Sequence, residues 1–445
     1  MSLFNTGIIS SSDGKYKSLR YFYVSSSYTG ATANGGLTTP WKTLAQVQSA
    51  MSSFQAGDAI LFKCGDTFSG TLNITRSGTA SNPIIFGSYG EGLRPKLIGT
   101  GSVIPYLIYL FGRSYVIFDN LWITDPTMSP TDRTIDAKIQ RAFTFDESSY
   151  CTISNCTIEL IGVAGYFTGP NNSMLSNYIT NLRMVVDTDD GGPIGSGGND
   201  DDYGANALVV SSSDNTFSYN VVDGLWADSY DYLYDGGAID IFADLGDITG
   251  NTFSYNIFHD CNGICEIAGR GTSIVSETLF AYNLLINNGS VSYVSNQSPF
   301  LSDCNNLKFY NNIFIESQPY RLPETSLFGF NLAPTTPNTL DLRNNVFQIY
   351  GTVDICRNQF TTTTLTHLNN VYKLGSGSVL NFTPNPSEIL TSGTIFANTT
   401  GAPLNWNYHP SVGSVLINNG INVGLNFDFD GYTLTPTPYI GIYNY

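Results

Sequence analysis

Two short apolar runs of this 445-residue chain each carry one carboxylate: Asp240 in GAIDIF, between Ile239 and Ile241, and Glu266 in GICEIAG, between Cys265 and Ile267. Side chains alternate faces along a strand, so isoleucines directed into a core send both acids outward. Two neighbouring acids of this kind can share the general-acid, general-base and nucleophile roles of glycoside cleavage. Asp235, in YDGG ahead of the first run, is a third carboxylate, and Arg270, four residues after Glu266, is a cation able to hold one acid ionised. Trp226, Tyr230, Tyr232 and Tyr234 fall within nine residues, and their rings can stack on the apolar faces of sugars. His259, beside Asp260, is a further substrate-contact candidate, though an ordinary turn histidine is the plainer reading. Asp200, Asp201 and Asp202 stand across a Gly-rich stretch from Asp187, Asp189 and Asp190. They offer the oxygen ligands that Ca²⁺ takes, although their spacing is not that of an EF-hand. The acid pair itself requires no cofactor.

The elements that must position these residues read as all-β. Lys plus Arg total 19 against 36 Asp plus Glu, a net charge of −17, which argues against nucleic acid or an anionic membrane surface as partner. Charged residues make up only 12 %, and few stretches have helix-forming character. No apolar run approaches the ~20 residues of a membrane span. The seven cysteines are scattered, without paired CxxC spacing, which predicts buried apolar use. The opening MSLFNTGIISSSDGKYK lacks the charged and apolar regions of an export signal, so either the chain is not exported by that route or the signal has been trimmed. One amphipathic helix is expected near residues 41–53, starting at Thr39–Pro40, with Leu44, Val47 and Met51 on one face.

From about residue 107 a signature recurs: apolar–x–apolar–x–x–Asn–x–apolar, as in CTISNCTI, NTFSYNVV, NTFSYNIF and LKFYNNIF. Its asparagines, Asn120, Asn155, Asn177, Asn220, Asn256, Asn283, Asn312, Asn345 and Asn370, stand 22 to 43 residues apart. That pattern predicts one coil of a solenoid per repeat, with loop insertions, each asparagine sitting in a left-handed turn and stacking on the next. Anchoring on Asn256 and Asn283 superposes AIDIF on ICEIA, which predicts Asp240 and Glu266 at one outward position of adjacent coils. Val209 of NALVV takes that position one coil earlier, so the acids are not a generic feature of the repeat.

YFYVSSS, TTPWKTLAQV, AGDAILFKCGDTFSGTL and NPIIFGSYG, the NTFSYNIF-type coils and the closing FDFDGYTLTPTPYIGIYNY together make the chain resemble the right-handed parallel β-helix proteins of the pectate-lyase-like superfamily. The resemblance is diffuse but covers most of the chain. It implies an all-β solenoid with a short N-terminal capping helix. The expected organisation is one continuous domain: residues 1–106 as entry strand, helix and first coils, 107–385 as main coils with the active-site cleft, and 386–445 as terminal coils and cap. It also implies carbohydrate chemistry, since lyases, glycoside hydrolases, epimerases and phage tailspikes share this fold, and an extracellular or periplasmic setting. Three readings stay open. A retaining glycoside hydrolase would use Asp240 as nucleophile and Glu266 as acid/base on a neutral or weakly charged polysaccharide or oligosaccharide. A polysaccharide lyase would need an Arg base and Ca²⁺, and residues 151–300 contain no lysine and only Arg183 and Arg270. A tailspike-like protein would bind glycan without turnover.

Overall fold

The structure, a computed structural model, describes residues 19–131, 136–186, 195, 201–231, 233–269, 273–294, 303–317, 326–330, 338–357 and 363–444. The chain folds as a right-handed parallel β-helix. Its residues gather into two compact units, Met1–Leu208 with Ala227–Asp235 and Val209–Trp226 with Gly236–Tyr445. We call these units one and two.

Each unit stacks coils that contribute in turn to three parallel sheets, here sheets one, two and three. In unit one the strands Val116–Asp119, Thr152–Ser154 and Ser173–Leu175 stack in sheet one, while Trp122–Thr124, Thr157–Glu159 and Tyr178–Thr180 stack in sheet two. In sheet three, Ile108–Phe111, Arg141–Asp146 and Val163–Phe167 run side by side. A representative coil of unit two passes through Thr252–Ser254, Ile257–His259 and Gly263–Gly269, then returns through a fourth short strand, Ile274–Ser276. Strands of three residues suffice because each buries one central side chain against the coil above and the coil below. The inward rings stack along the axis, Phe253 on Phe280 at 4.6 Å and Phe280 on Phe309 at 4.7 Å, the spacing of neighbouring strands.

The helix runs Leu44–Ala50 and continues as a 3-10 turn, Met51–Ser53. Its N-cap is Thr43, which accepts from the Gln46 N–H, and not Thr39. Thr39 and Trp41 are instead in extended bridges, with Gly36 and Val24, so the chain is not free to turn helical until Thr43. Leu44, Val47 and Met51 are buried. Gln48 acts as a side-chain strand pairing: its amide donates to the Asn73 carbonyl at 3.1 Å and accepts the Asn73 N–H at 2.8 Å. That satisfies edge groups of Leu72–Ile74 that would otherwise face solvent.

Asparagine ladders hold the coils in register. In unit two, Asn220, Asn256, Asn283, Asn312, Asn345 and Asn370 are all fully buried. The Oδ1 of each later member accepts both the N–H and the amide of the one before, at 2.9–3.1 Å. From Asn256 onward each amide also donates to a carbonyl of the preceding coil, as Asn283 does to Phe253. The left-handed residue differs from the sequence expectation. It is the position before each ladder asparagine, with φ near +55 to +59°: Tyr219, Tyr255, Tyr282, Asn311, Asn344 and Asn369. Asn120 and Asn155 in unit one are themselves left-handed, at φ +59° and +52°, and so lie one position before the ladder. A left-handed residue aims its side chain off the coil; the next residue points inward, where the ladder forms.

The cysteines join this scheme. All seven are buried thiols, none of them in a disulfide. The N–H of Cys151, Cys156, Cys261 and Cys304 donates to the Oδ1 of Asn172, Asn177, Asn288 and Asn338 in turn, at 2.8–3.0 Å, so a small apolar side chain sits where the ladder has no further asparagine. Glu316, at the end of its sheet-two strand Ile313–Glu316, substitutes for the next asparagine above Asn288, its Oε1 accepting the Asn288 N–H at 3.2 Å; it is 3 % exposed, and burial pushes its carboxyl well above the usual range.

The segment after residue 385 packs against the outer face of sheet two. Ile257, Leu284, Ile313, Val346 and Val371 there meet Ile395, Phe396, Tyr408, Leu416, Ile440 and Ile442 in one buried cluster. It is also tied to the left-handed positions. The Tyr255 hydroxyl donates to Phe427 O at 2.9 Å, and the amides of Asn311, Asn344 and Asn369 donate to Gly441, Ile421 and Asn419 carbonyls at 3.0, 2.7 and 2.8 Å.

Candidate active site

Asp240 lies in Gly237–Ala243 and Glu266 in Gly263–Gly269, neighbouring strands of sheet three in unit two. The two residues are direct partners in the register, between the inward pairs Ile239–Cys265 and Ile241–Ile267. Those four are 0–3 % exposed, whereas Asp240 is half-buried and Glu266 exposed. The apolar residues on either side thus fix the strand faces, and the acids emerge on the outer one. Their charge reaches the inside of the same strand: the Cys265 thiol is held well above its ordinary value by burial, then by Cys304, Asp240 and Glu266.

The column continues with Tyr293, in register with Glu266, and then Gly329. Phe242, two residues beyond Asp240 on the outer face, is half-buried and faces Ala268 across the ladder. Sequence reasoning passed over both residues. Alternation from Asp240 marks Phe242, and the next repeat of the column marks Tyr293.

The other candidates are distributed differently. Arg270, Tyr232 and Asp200 lie outside the described residues, as do Asp187, Asp189 and Asp190. Asp235 belongs to unit one, in the strand Tyr234–Asp235, which pairs antiparallel with Ala227–Asp228. Gly236, at φ +90°, separates it from the strand that carries Asp240, so the two are not on one strand. Tyr230 and Tyr234, in the same hairpin segment, are partly exposed. Trp226 departs from the expectation of a sugar-stacking ring: it is 3 % exposed. Its neighbours Leu225 and Ala227 are fully buried too, so the apolar word around it turns inward as a whole.

His259 ends its sheet-two strand, a sheet away from Glu266, with the turn Asp260–Asn262 between them. Its Nδ1 lies 2.7 Å from the Asp223 carboxylate on the neighbouring coil, where the two residues are in register. The structure therefore brings His259 to Asp223 and not to the acid pair. Aligning NTFSYNVVD with NTFSYNIFH by their asparagines would have revealed this contact.

Arg183 is 1 % exposed, with its guanidinium donating to the Leu182 and Ser129 carbonyls, so it is a structural cation. In unit one, Asp201 and Asp202 are joined by Asp231, a residue outside the sequence-level cluster; one carboxylate oxygen from each lies within 4.8 Å of the others. Asp231 lies 29 residues from Asp202 along the chain, and only folding of the hairpin unites them.

No protein-family model matches the chain, and no curated protein matches it. Solved structures do. Pectate lyase Pel9A aligns over 97 % of this chain and 98 % of its own, at 14 % identity and a TM-score of 0.56. The alginate lyase of Paenibacillus sp. str. FPU-7 covers 79 % of this chain and 99 % of its own, at 15 % identity and a TM-score of 0.48. The GH136 lacto-N-biosidase of Eubacterium ramulus covers 80 % and 68 %, at 13 % and 0.47. The long alignment with Pel9A shows that this chain has the right-handed parallel β-helix fold over nearly its whole length.

Proposed function

We propose that the protein is a carbohydrate-active enzyme in which Asp240 and Glu266 are the catalytic pair, and that it hydrolyses a neutral or weakly charged glycan with retention. The observation that carries this reading is the direct register of the two acids on adjacent outward positions. Adjacent strands lie about 4.8 Å apart, close to the ~5–5.5 Å between the carboxyl groups of retaining glycosidases and short of the ~6.5–9.5 Å of inverting ones. Like charges at that separation oppose joint ionisation, which favours one protonated and one ionised acid. Glu266, the more exposed, donates its proton to the leaving glycosidic oxygen while Asp240 attacks the anomeric carbon. The Glu266 carboxylate then takes a proton from water, whose oxygen displaces Asp240 and frees the sugar. Phe242, on the outer face of the same strand as Asp240, offers a ring to the glycan, and Arg270 remains a supporting candidate. An extracellular or periplasmic location suits this substrate.

A second reading, polysaccharide lysis, is favoured by the likeness to pectate lyase Pel9A. Elimination needs a base and a cation against the substrate carboxylate. With Arg183 buried in a structural role, Arg270 is the arginine of residues 151–300 left for the base.

The test is a panel of polysaccharides and oligosaccharides with products read by mass. Hydrolysis adds one water per cleavage, and Asp240→Asn and Glu266→Gln each abolish it. Products lacking that water, absorbing in the ultraviolet and lost in Arg270→Ala, would establish the lyase instead. Retention of glycan without turnover, unchanged in both acid variants, would mark a binding protein.

A further inference from the structure

Asp201 and Asp202 immediately precede Tyr203–Gly204, which pairs antiparallel with Met184–Val185, and Asp231 stands in the turn of the hairpin Ala227–Asp228/Tyr234–Asp235. Both hairpins belong to unit one. The aspartates brace each other's backbone. Asp231 Oδ2 accepts the N–H groups of Asp201 and Asp202 at 2.9 and 2.8 Å, while Asp202 Oδ2 accepts the Ser229 hydroxyl at 2.9 Å and the Tyr230 N–H at 2.7 Å.

This bracing uses one oxygen of each buried acid and leaves the other over. Asp202 and Asp231 are 7 % and 9 % exposed, and the Oδ1 of each is shielded from solvent with no hydrogen-bond partner among the described residues. A buried carboxylate oxygen without a partner is costly, and here two occur within one cluster. Burial raises the Asp202 carboxyl, and the nearby Asp231 charge adds to the rise. Three carboxylate oxygens within 4.8 Å of one another can all reach one ion that binds oxygen at ~2.3–2.6 Å. An all-oxygen donor set with several charges suits Ca²⁺; Zn²⁺ would call for nitrogen or sulfur.

We propose that Asp201, Asp202 and Asp231 form a Ca²⁺ site that clamps the Met184–Val185/Tyr203–Gly204 strand pair to the Ala227–Asp228/Tyr234–Asp235 strand pair. The ion supplies the positive partner that the two Oδ1 atoms lack. The site is structural and independent of the carbohydrate reading, so either can fail alone.

The experiment uses the full chain stripped with chelator and then titrated with CaCl₂. One equivalent is expected to bind, with a rise in melting temperature of about 3 °C or more at saturation. Leu233, 51 % exposed in the same hairpin, gives chymotrypsin a reporter bond. Ca²⁺ is expected to slow cleavage there by about tenfold or more, read by mass. Asp231→Asn is expected to lose Ca²⁺ binding while melting no lower than the wild type in chelator, because it removes one of the clustered charges. Absence of stoichiometric binding would overturn the proposal, as would binding that leaves Leu233 cleavage unchanged or that persists in Asp231→Asn. An equal response to MgCl₂ would overturn the assignment to Ca²⁺. If Asp231→Asn does not fold, protection at Leu233 in the wild type decides the question.

Discussion

The asparagine ladder and the Asp240–Glu266 column are the same geometric device on opposite sides of the coil wall. Both place polar side chains at one position of successive coils. Inside, each asparagine brings a donor and an acceptor, so every contact in the stack is satisfied and the column locks register. Outside, the stack brings two carboxyl groups together, and their like charges oppose joint ionisation. Stacking stabilises when the side chain complements itself; on the proposal above, it creates reactivity when it does not.

That contrast can be broken in either column. The largest effect is expected at the acids: Asp240→Asn and Glu266→Gln should each lower turnover by about 10²–10⁴-fold with an unchanged urea midpoint, measured on the substrate the panel identifies. A midpoint that falls with activity would make the acids structural. The reverse is expected of Asn283→Ala. It orphans the buried Asn256 N–H and takes a side-chain donor from the Phe253 carbonyl, and should cost about 3 kcal/mol in denaturant unfolding, with kcat preserved in the folded fraction.

Glu316 tests whether an acid can serve in a ladder. Its folded pKa is raised above the ordinary 4.5, so between that value and the raised one the folded chain keeps a proton that the unfolded chain has released. Its stabilising contribution is therefore complete below about pH 4.5 and is lost as pH climbs, at up to about 1.4 kcal/mol per pH unit. Glu316→Gln should remove that slope and exceed the wild type in urea midpoint increasingly towards neutral pH; parallel pH profiles would refute it. The smallest effect is expected from Phe242→Ala: KM raised by up to about tenfold, the scale of one aromatic contact, with kcat little changed.

Much of this was legible in the sequence. Asn256 and Asn283 are in the same structural position, and the strand words around Asp240 and Glu266 announce their faces. The signature failed at Asn120 and Asn155, because an eight-residue word cannot tell the inward asparagine from the left-handed residue before it when either can be asparagine; Asn311–Asn312 and Asn344–Asn345 carry both. Trp226 failed because aromatic composition does not say whether a loop folds over its own ring. Asp231 was invisible as a partner of Asp202 because only the hairpin unites them.

The packing of residues 395–442 on sheet two has a consequence for how the protein is made. Ile257, Leu284, Ile313, Val346 and Val371 form an apolar flank that their own coils leave open, and the segment that covers it leaves the ribosome after all of them. Each finished coil therefore waits with a greasy side and, at Asn311, Asn344 and Asn369, amides aimed at carbonyls not yet synthesised. The nascent chain is at its most adhesive just before the covering segment emerges.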